Sequence, residues 1–358
     1  MRIPLKDRLK YLAVFSIPVA VYFSFTNEGW LAFIPILYAF GVVPFLEFAL
    51  PPQRENDSEE LQKAKANDKW FDVLLILVVP IHYAFGVWFL FTVAQDADWL
   101  TRLGWIMSYG LMCGVLGINV AHELGHHTQK SHQLLAQALL LTSQYTHFFI
   151  EHNRGHHKNV ATPEDPSTAR FGEPLMFFWV RSTTQTYRKA WALENQRLRR
   201  KKIRVFGMNN LMIRFTLLQM VVMGTVAFFF GLPALFYYLA AAVIGFLLLE
   251  TVNYIEHYGL TRDMVSEFRY EDASPEHSWN SDHQIGRSLL FELSRHSDHH
   301  FQPAKRYQIL QRWENSPQMP TGYPGMMLLS LVPPLWFAVM NKRVAVYKLS
   351  KVESNPDS

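Results

Sequence analysis

Six stretches of this chain carry almost no charge and are each long enough to cross a lipid bilayer, which limits the possible folds more than any other feature. A spanning helix needs about 20 predominantly apolar residues, because roughly 30 Å of hydrocarbon offers the backbone no water to bond with. The stretches run approximately over 9–26, 30–50, 70–94, 100–120, 211–230 and 232–253. The links 27–29 and Gly231 leave room only for tight turns, so those pairs read as antiparallel hairpins; the link 95–98 is short and acidic. Mean hydropathy is zero only because dense basic runs, such as 197–204, offset these stretches.

Lysine and arginine orient the bundle, since they accumulate on the cytoplasmic side of short loops. Arg2, Lys6, Arg8 and Lys10 precede the first stretch, and Arg54, Lys63, Lys65 and Lys69 fill the second connection. The three links on the opposite side contain neither. Both termini are therefore expected in the cytoplasm, with the chain a multi-pass protein of the inner (plasma) membrane. The N-terminus shows no small-residue cleavage site, so the first helix reads as a retained anchor. Stretches 134–150 and 324–340 are ambiguous, the second because Pro333–Pro334 interrupts it. A net charge of only +4 gives no reason to expect a nucleic-acid partner.

Histidine is the second constraint. There are 15 of them against a single cysteine, Cys113, which excludes disulfides, Cys-ligated zinc and iron–sulfur clusters. Nine fall in four clusters, all on the cytoplasmic side: His122 and His126; His152, His156 and His157; His257; and His296, His299 and His300. On a helix, residues three and four apart share a face, so each cluster of that spacing can converge on one point. Neutral imidazole suits Fe, Zn, Cu and Ni, and nine rings exceed the needs of one ion, so two metals are expected. Glu123, Glu151, Glu256 and Asp298 stand beside the rings as natural acceptors for the free ring N–H. His82, His132, His147, His277 and His283 stand singly and read as hydrogen-bonded structural residues. The predicted fold is an all-α integral membrane protein, six transmembrane helices with a cytoplasmic histidine-rich helical cap. Its parts are helices 1–4 (1–121), a segment with the first two clusters (122–210), helices 5–6 (211–253) and a segment with the remaining motifs (254–358).

Two rival readings fail on the count and on the placement of these histidines. His122-Glu123-Leu124-Gly125-His126 fits the H-E-x-x-H pattern of zinc peptidases, but such an enzyme uses one metal and about three protein ligands, leaving the other histidines idle. A metal transporter would place ionisable groups near the middle of its helices, where only His82 stands.

The four motifs resemble those of the integral-membrane alkane 1-monooxygenases, within the fatty acid desaturase/hydroxylase superfamily. The three paired clusters carry the wider likeness. The run 253–260 (Asn-Tyr-Ile-Glu-His-Tyr-Gly-Leu), the run 151–166 and His277-Ser278-Trp279-Asn280 carry the narrower one, over roughly 119–325. The chain departs from the family pattern at His127, where Lys is usual, and at Ser294, where Gln is usual. It also lacks an acidic Asn-Pro segment after the second helix. The resemblance implies a non-haem diiron centre that uses O2 to hydroxylate the terminal carbon of an n-alkane. The same superfamily also contains fatty acyl hydroxylases and desaturases and aryl-methyl monooxygenases. Electrons would come from rubredoxin and, through it, an NAD(P)H-dependent rubredoxin reductase. The cations Arg199, Arg200 and Lys201, or Lys305 and Arg306, are candidate docking residues for an acidic carrier. Small residues on the second helix, Ala39 and Gly41, are candidates for making room for longer chains.

Overall fold

The computed structural model describes residues 2–354, with side chains through Lys351. Five helices are long and apolar enough to cross a membrane: α1 (Leu5–Phe25), α2 (Gly29–Ala49), α3 (Trp70–Val93), α4 (Trp99–His126) and the 47-residue Leu211–His257. Five further helices matter to the site. With Leu211–His257 as α7, they are α5 (Lys130–Thr142), α6 (Leu175–Arg200), α8 (His296–Phe301), α9 (Tyr323–Ser330) and α10 (Pro333–Ser354). Strand content among the described residues is one short hairpin, Met264–Ser266 against Arg269–Tyr270. The stretch 134–150 resolves into α5 and a turn, and 324–340 into α9 and α10, which begins at Pro333.

The two stretches expected at 211–230 and 232–253 are joined in the single run α7, so five long runs stand where six stretches were expected. One residue interrupts it: Gly231, at φ 80 and ψ 168, a region that glycine enters without a Cβ clash. Gln144 shows the consequence. Its backbone oxygen accepts from Gln219 Nε2 at 2.6 Å, and its own Nε2 donates to Tyr238 Oη at 2.9 Å. In an unbroken helix those partners would stand ~28 Å apart along the axis. The chain therefore folds back on itself at Gly231.

Helix α4 is the centre of the bundle. Its apolar window is 78% buried, against 22% to 44% for the other four. Those four turn large apolar side chains outward, among them Phe48 at 90% and Phe228 at 82% exposure. Such surface is stable in hydrocarbon and would be an association hazard in water. These features fit a multi-pass membrane protein.

The histidine-bearing segments close one end of the bundle and are fixed to it by buried polar contacts. Glu292 accepts from Lys10 Nζ at 2.6 Å and Tyr11 Oη at 2.9 Å on α1, and from Arg287 Nε at 2.6 Å. Removing one partner of a buried ionic group costs about 3–5 kcal/mol. That contact also holds an uncommon backbone, with non-glycine Phe291 and Glu292 both left-handed (φ 50 and 58), just ahead of α8. Glu47, at the end of α2, accepts from Gly286 N at 2.9 Å. At the same end, Leu211 N donates to Glu194 Oε1 at 2.9 Å. The turns after α1, after α3 and at Gly231 lie at the other end, where Gly29 N bonds Thr101 Oγ1 and Phe91 packs on Phe230.

Candidate metal centre

All nine clustered histidines meet in the layer at the end of α4, and they meet as two groups. His122, His126, His152, His157 and His299 form one; His156, His257, His296 and His300 form the other. Every ring presents Nε2. The distances are 2.9 Å for His122–His299, 3.0 Å for His126–His152 and His152–His157, and 3.2 Å for His126–His157. In the second group they are 2.9 Å for His296–His300, 3.1 Å for His156–His300 and 3.2 Å for His257–His296. So many neutral nitrogens crowded at hydrogen-bond distance cannot all be donor–acceptor pairs. The spacing matches neighbouring ligands of a shared cation, since metal–nitrogen bonds of ~2.1 Å at right angles put the two nitrogens ~3.0 Å apart. The donor set therefore fits two metal ions.

Local backbone decides which ring joins which group. His122 and His126, four apart on regular helix, share a face and a group, as do His296 and His300. The expectation that His152 and His156 converge on one point is overturned. Residues His152–His156 form a π-helical turn, whose i to i+5 repeat aligns His152 with His157 and sends His156 to the other group. His299 likewise parts from His296 and His300, and joins the first group. Gly155 lies inside the π turn, where an added Cβ would meet the Glu151 carboxylate.

Burial pushes the rings of His152, His157, His296, His299 and His300 well below the usual histidine pKa, which keeps them neutral, the form that ligates. His156 is the exception. Burial lowers it too, but the Asp165 carboxylate, 2.8 Å from Nδ1, outweighs burial and holds it above the usual value. Asp165 thus fixes the tautomer that leaves Nε2 facing its group. It also accepts from Thr168 Oγ1 at 2.6 Å.

The four carboxylates singled out by adjacency lie in different settings. Glu256 Oε2 is 3.1 Å from His296 Nε2, on the side facing the four-ring group, while Oε1 accepts from Tyr323 Oη at 2.6 Å. Glu123 Oε1 lies 3.8 Å from His122 Nδ1, and Glu151 lies 3.3 Å from Lys189 Nζ. Asp298 accepts from Lys305 Nζ, Gln311 N and Trp313 Nε1 at 2.6, 2.7 and 2.9 Å. Sequence adjacency missed Asp165, which is nine residues from the ring it orients. The isolated histidines have other partners: His82 with Thr142 at 2.9 Å, His277 with Glu271 at 3.1 Å, His283 with Ser281 at 2.9 Å. His132 stacks on His127, their centroids 4.6 Å apart, and His147 packs on Tyr145 at 4.3 Å.

An apolar cavity runs from the rings into the bundle. His122, His152 and His296 line one end, so it touches both groups, and Leu111, Gly114 and Ala39 line it deeper among the helices. From His122 to Leu111 it follows α4 for roughly 15 Å. Gly41, by contrast, is not part of its wall. A second cleft is bounded by His126, His127, Lys305 and Arg306, with the exposed Thr128 and Gln129 on its wall. Lys305 is paired with Asp298, and Arg306 with Asp72 at 3.1 Å, whereas Arg199, Arg200 and Lys201 are exposed at the end of α6.

Comparison with known proteins is consistent with this geometry. Residues 97–330 match the family model described as fatty acid desaturase. The chain is 41% identical to alkane 1-monooxygenase 1 of Pseudomonas aeruginosa over 90% of its own length and 85% of that protein. It is 36% identical to an alkane 1-monooxygenase of Pseudomonas putida, over 97% and 89%. A xylene/toluene monooxygenase hydroxylase component of Pseudomonas putida is 31% identical over 67% and 63%.

Proposed function

Because the chain belongs to the fatty acid desaturase family and, within it, to the alkane 1-monooxygenases, we propose that it hydroxylates the terminal carbon of n-alkanes at a non-haem diiron centre. The observation that carries this reading is the division of nine Nε2 atoms into groups of five and four at the end of an apolar cavity. Iron, when bound, supplies the oxidising chemistry that an inert C–H bond requires, which no side chain can provide. In the balanced reaction the alkane, O2, two electrons and two protons give one alcohol and one water.

The remaining work is done by this chain's own residues. The five-ring group would hold one iron; the four-ring group, with Glu256 in its fifth position, would hold the other. Asp165 keeps the proton on His156 Nδ1, and Tyr323 donates to Glu256. Leu111, Gly114, Val115, Leu248 and Val252 shed water and line up the chain so that its end meets the rings. No Lys or Arg lines the cavity, so the carboxylate of a fatty acid would find no counter-charge there, which favours a hydrocarbon.

Folding back at Gly231 makes α7 two passes, so we read six crossings, with the turns at 26–29, 94–98 and 231 outside and the metal layer in the cytoplasm of the inner membrane. There it meets its electron source, rubredoxin fed by an NAD(P)H-dependent reductase. The cleft beside His126 is the preferred docking place over Arg199–Lys201, because it leads directly to a ring of the five-ring group.

Inside-out membrane vesicles test these points together. With NADH, reductase and rubredoxin outside, n-alkane and isotopically labelled O2 should yield 1-alkanol carrying one labelled oxygen. Right-side-out vesicles should yield none. Equal turnover in both vesicle types would contradict the orientation. Benzylic alcohol from toluene with no 1-alkanol from any n-alkane would favour aryl-methyl oxidation instead.

A further inference from the structure

At the foot of α7 a groove is lined by four cations from four separate elements. Lys130 begins α5, Arg154 lies in the π turn, Arg197 is near the end of α6, and Arg214 is in the first turn of α7. Two of them are rigidly placed. The fully buried carboxylate of Glu194 accepts from Arg154 NH1 at 2.9 Å, from Arg197 Nε and NH2 at 2.7 and 2.6 Å, and from Leu211 N. Lys130 and Arg214 are exposed and have no carboxylate partner among the described residues. Four cations against one carboxylate leave the groove strongly positive. The guanidinium of Arg154 uses only one nitrogen on Glu194, so it keeps donors free for an anion.

The walls say which anion. Beside the cations stand Leu134, Phe149 and Met208, with Leu134 and Met208 58% and 64% exposed. Phe206, two residues earlier, is 78% exposed. The groove also lies where the membrane-crossing run starts, and Leu217, Leu218 and Val221 continue outward-facing apolar surface up α7. A free phosphate would use the cations and ignore this surface. A ligand with a negative headgroup and a hydrocarbon tail matches both parts, at the depth where headgroups lie.

We propose that this groove binds the headgroup of an anionic phospholipid, with one acyl chain lying along the outer face of α7. Lysine, arginine and exposed apolar residues on a cytoplasmic membrane face also arise from topology alone, so the test must show selectivity at this place. Purified iron-loaded protein in mild detergent is mixed with equal amounts of phosphatidylglycerol and phosphatidylcholine, and retained lipid is read by native mass spectrometry. The parent should favour phosphatidylglycerol by about ten-fold, a factor in keeping with a few headgroup contacts. The double variant Lys130→Gln, Arg214→Gln leaves the Glu194 contacts intact and should lose that preference while keeping its iron. A third arm adds millimolar inorganic phosphate, which should not displace the lipid. Equal retention of both lipids by the parent, an unchanged preference in the double variant, or displacement by phosphate alone would each overturn the proposal.

Discussion

Replacing His257 or His299 by Ala is expected to remove iron and abolish hydroxylation while the protein stays in the membrane. The two residues sample different groups, His257 the set of four and His299 the set of five. Each is buried, with its Nε2 among the converging nitrogens, and neither belongs to the apolar contacts that hold α1 to α4 together. Loss of a residue that only orients a metal ligand typically costs 10–100-fold in affinity or activity. Loss of a ligand itself should cost more, so hydroxylation is expected to fall below detection. Asp165→Asn provides the graded comparison. It keeps the shape but removes the charge beside His156 Nδ1, and should show the intermediate loss. Iron per chain and alcohol formed, measured on the same preparations, check the series. Full iron and full activity in His257→Ala would remove that ring from the site.

Substituting Ala39 by Trp is expected to shorten the longest alkane the enzyme accepts. Ala39 lines the deep part of the cavity, on the far side from the rings, so an indole there fills space that the tail of a long chain would occupy. Each methylene left unburied forgoes about 0.8 kcal/mol. Losing room for four of them removes ~3 kcal/mol, a factor of more than about a hundred in kcat/KM for the long substrate. Short alkanes should be nearly unaffected, since their tails never reach Ala39. Gly41→Trp is the control: Gly41 does not line the cavity and a Cβ added there meets nothing within 4 Å, so the product range should not change. Competition between a short and a long n-alkane, with products separated by chromatography, gives the ratio directly. An unchanged ratio in Ala39→Trp would place the chain elsewhere.

These expectations show which features could be read from the sequence. The apolar stretches and the nine histidines were legible because bilayer thickness and helical periodicity impose simple, local patterns. The pairing of His152 with His157 was not, since no residue pattern announces a π turn, and the α-helical repeat points to His156 instead. Asp165 escaped for another reason. Its bond to His156 is made by a turn that returns the chain nine residues later, and adjacency cannot see it. Glu292 is similar, because Lys10, 282 positions away, holds it to α1. Ala39 and Gly41 looked alike as small residues; the side of α2 that faces α4 separated them. The break at Gly231 was foreseen as a turn, and the helix does break there, at φ 80 and ψ 168, with no further residue between its two halves.

The two irons proposed here would sit in unequal surroundings, one held by five rings and the other by four rings with Glu256 beside His296. Protein purified without air after growth in iron, analysed for total metal and by Mössbauer spectroscopy, tests this arrangement most directly. Two irons per chain and two high-spin ferrous signals of equal area with distinct parameters are expected. Glu256→Gln should alter one of those signals and leave the other as it was. One iron per chain, or zinc in its place with full activity, would contradict it.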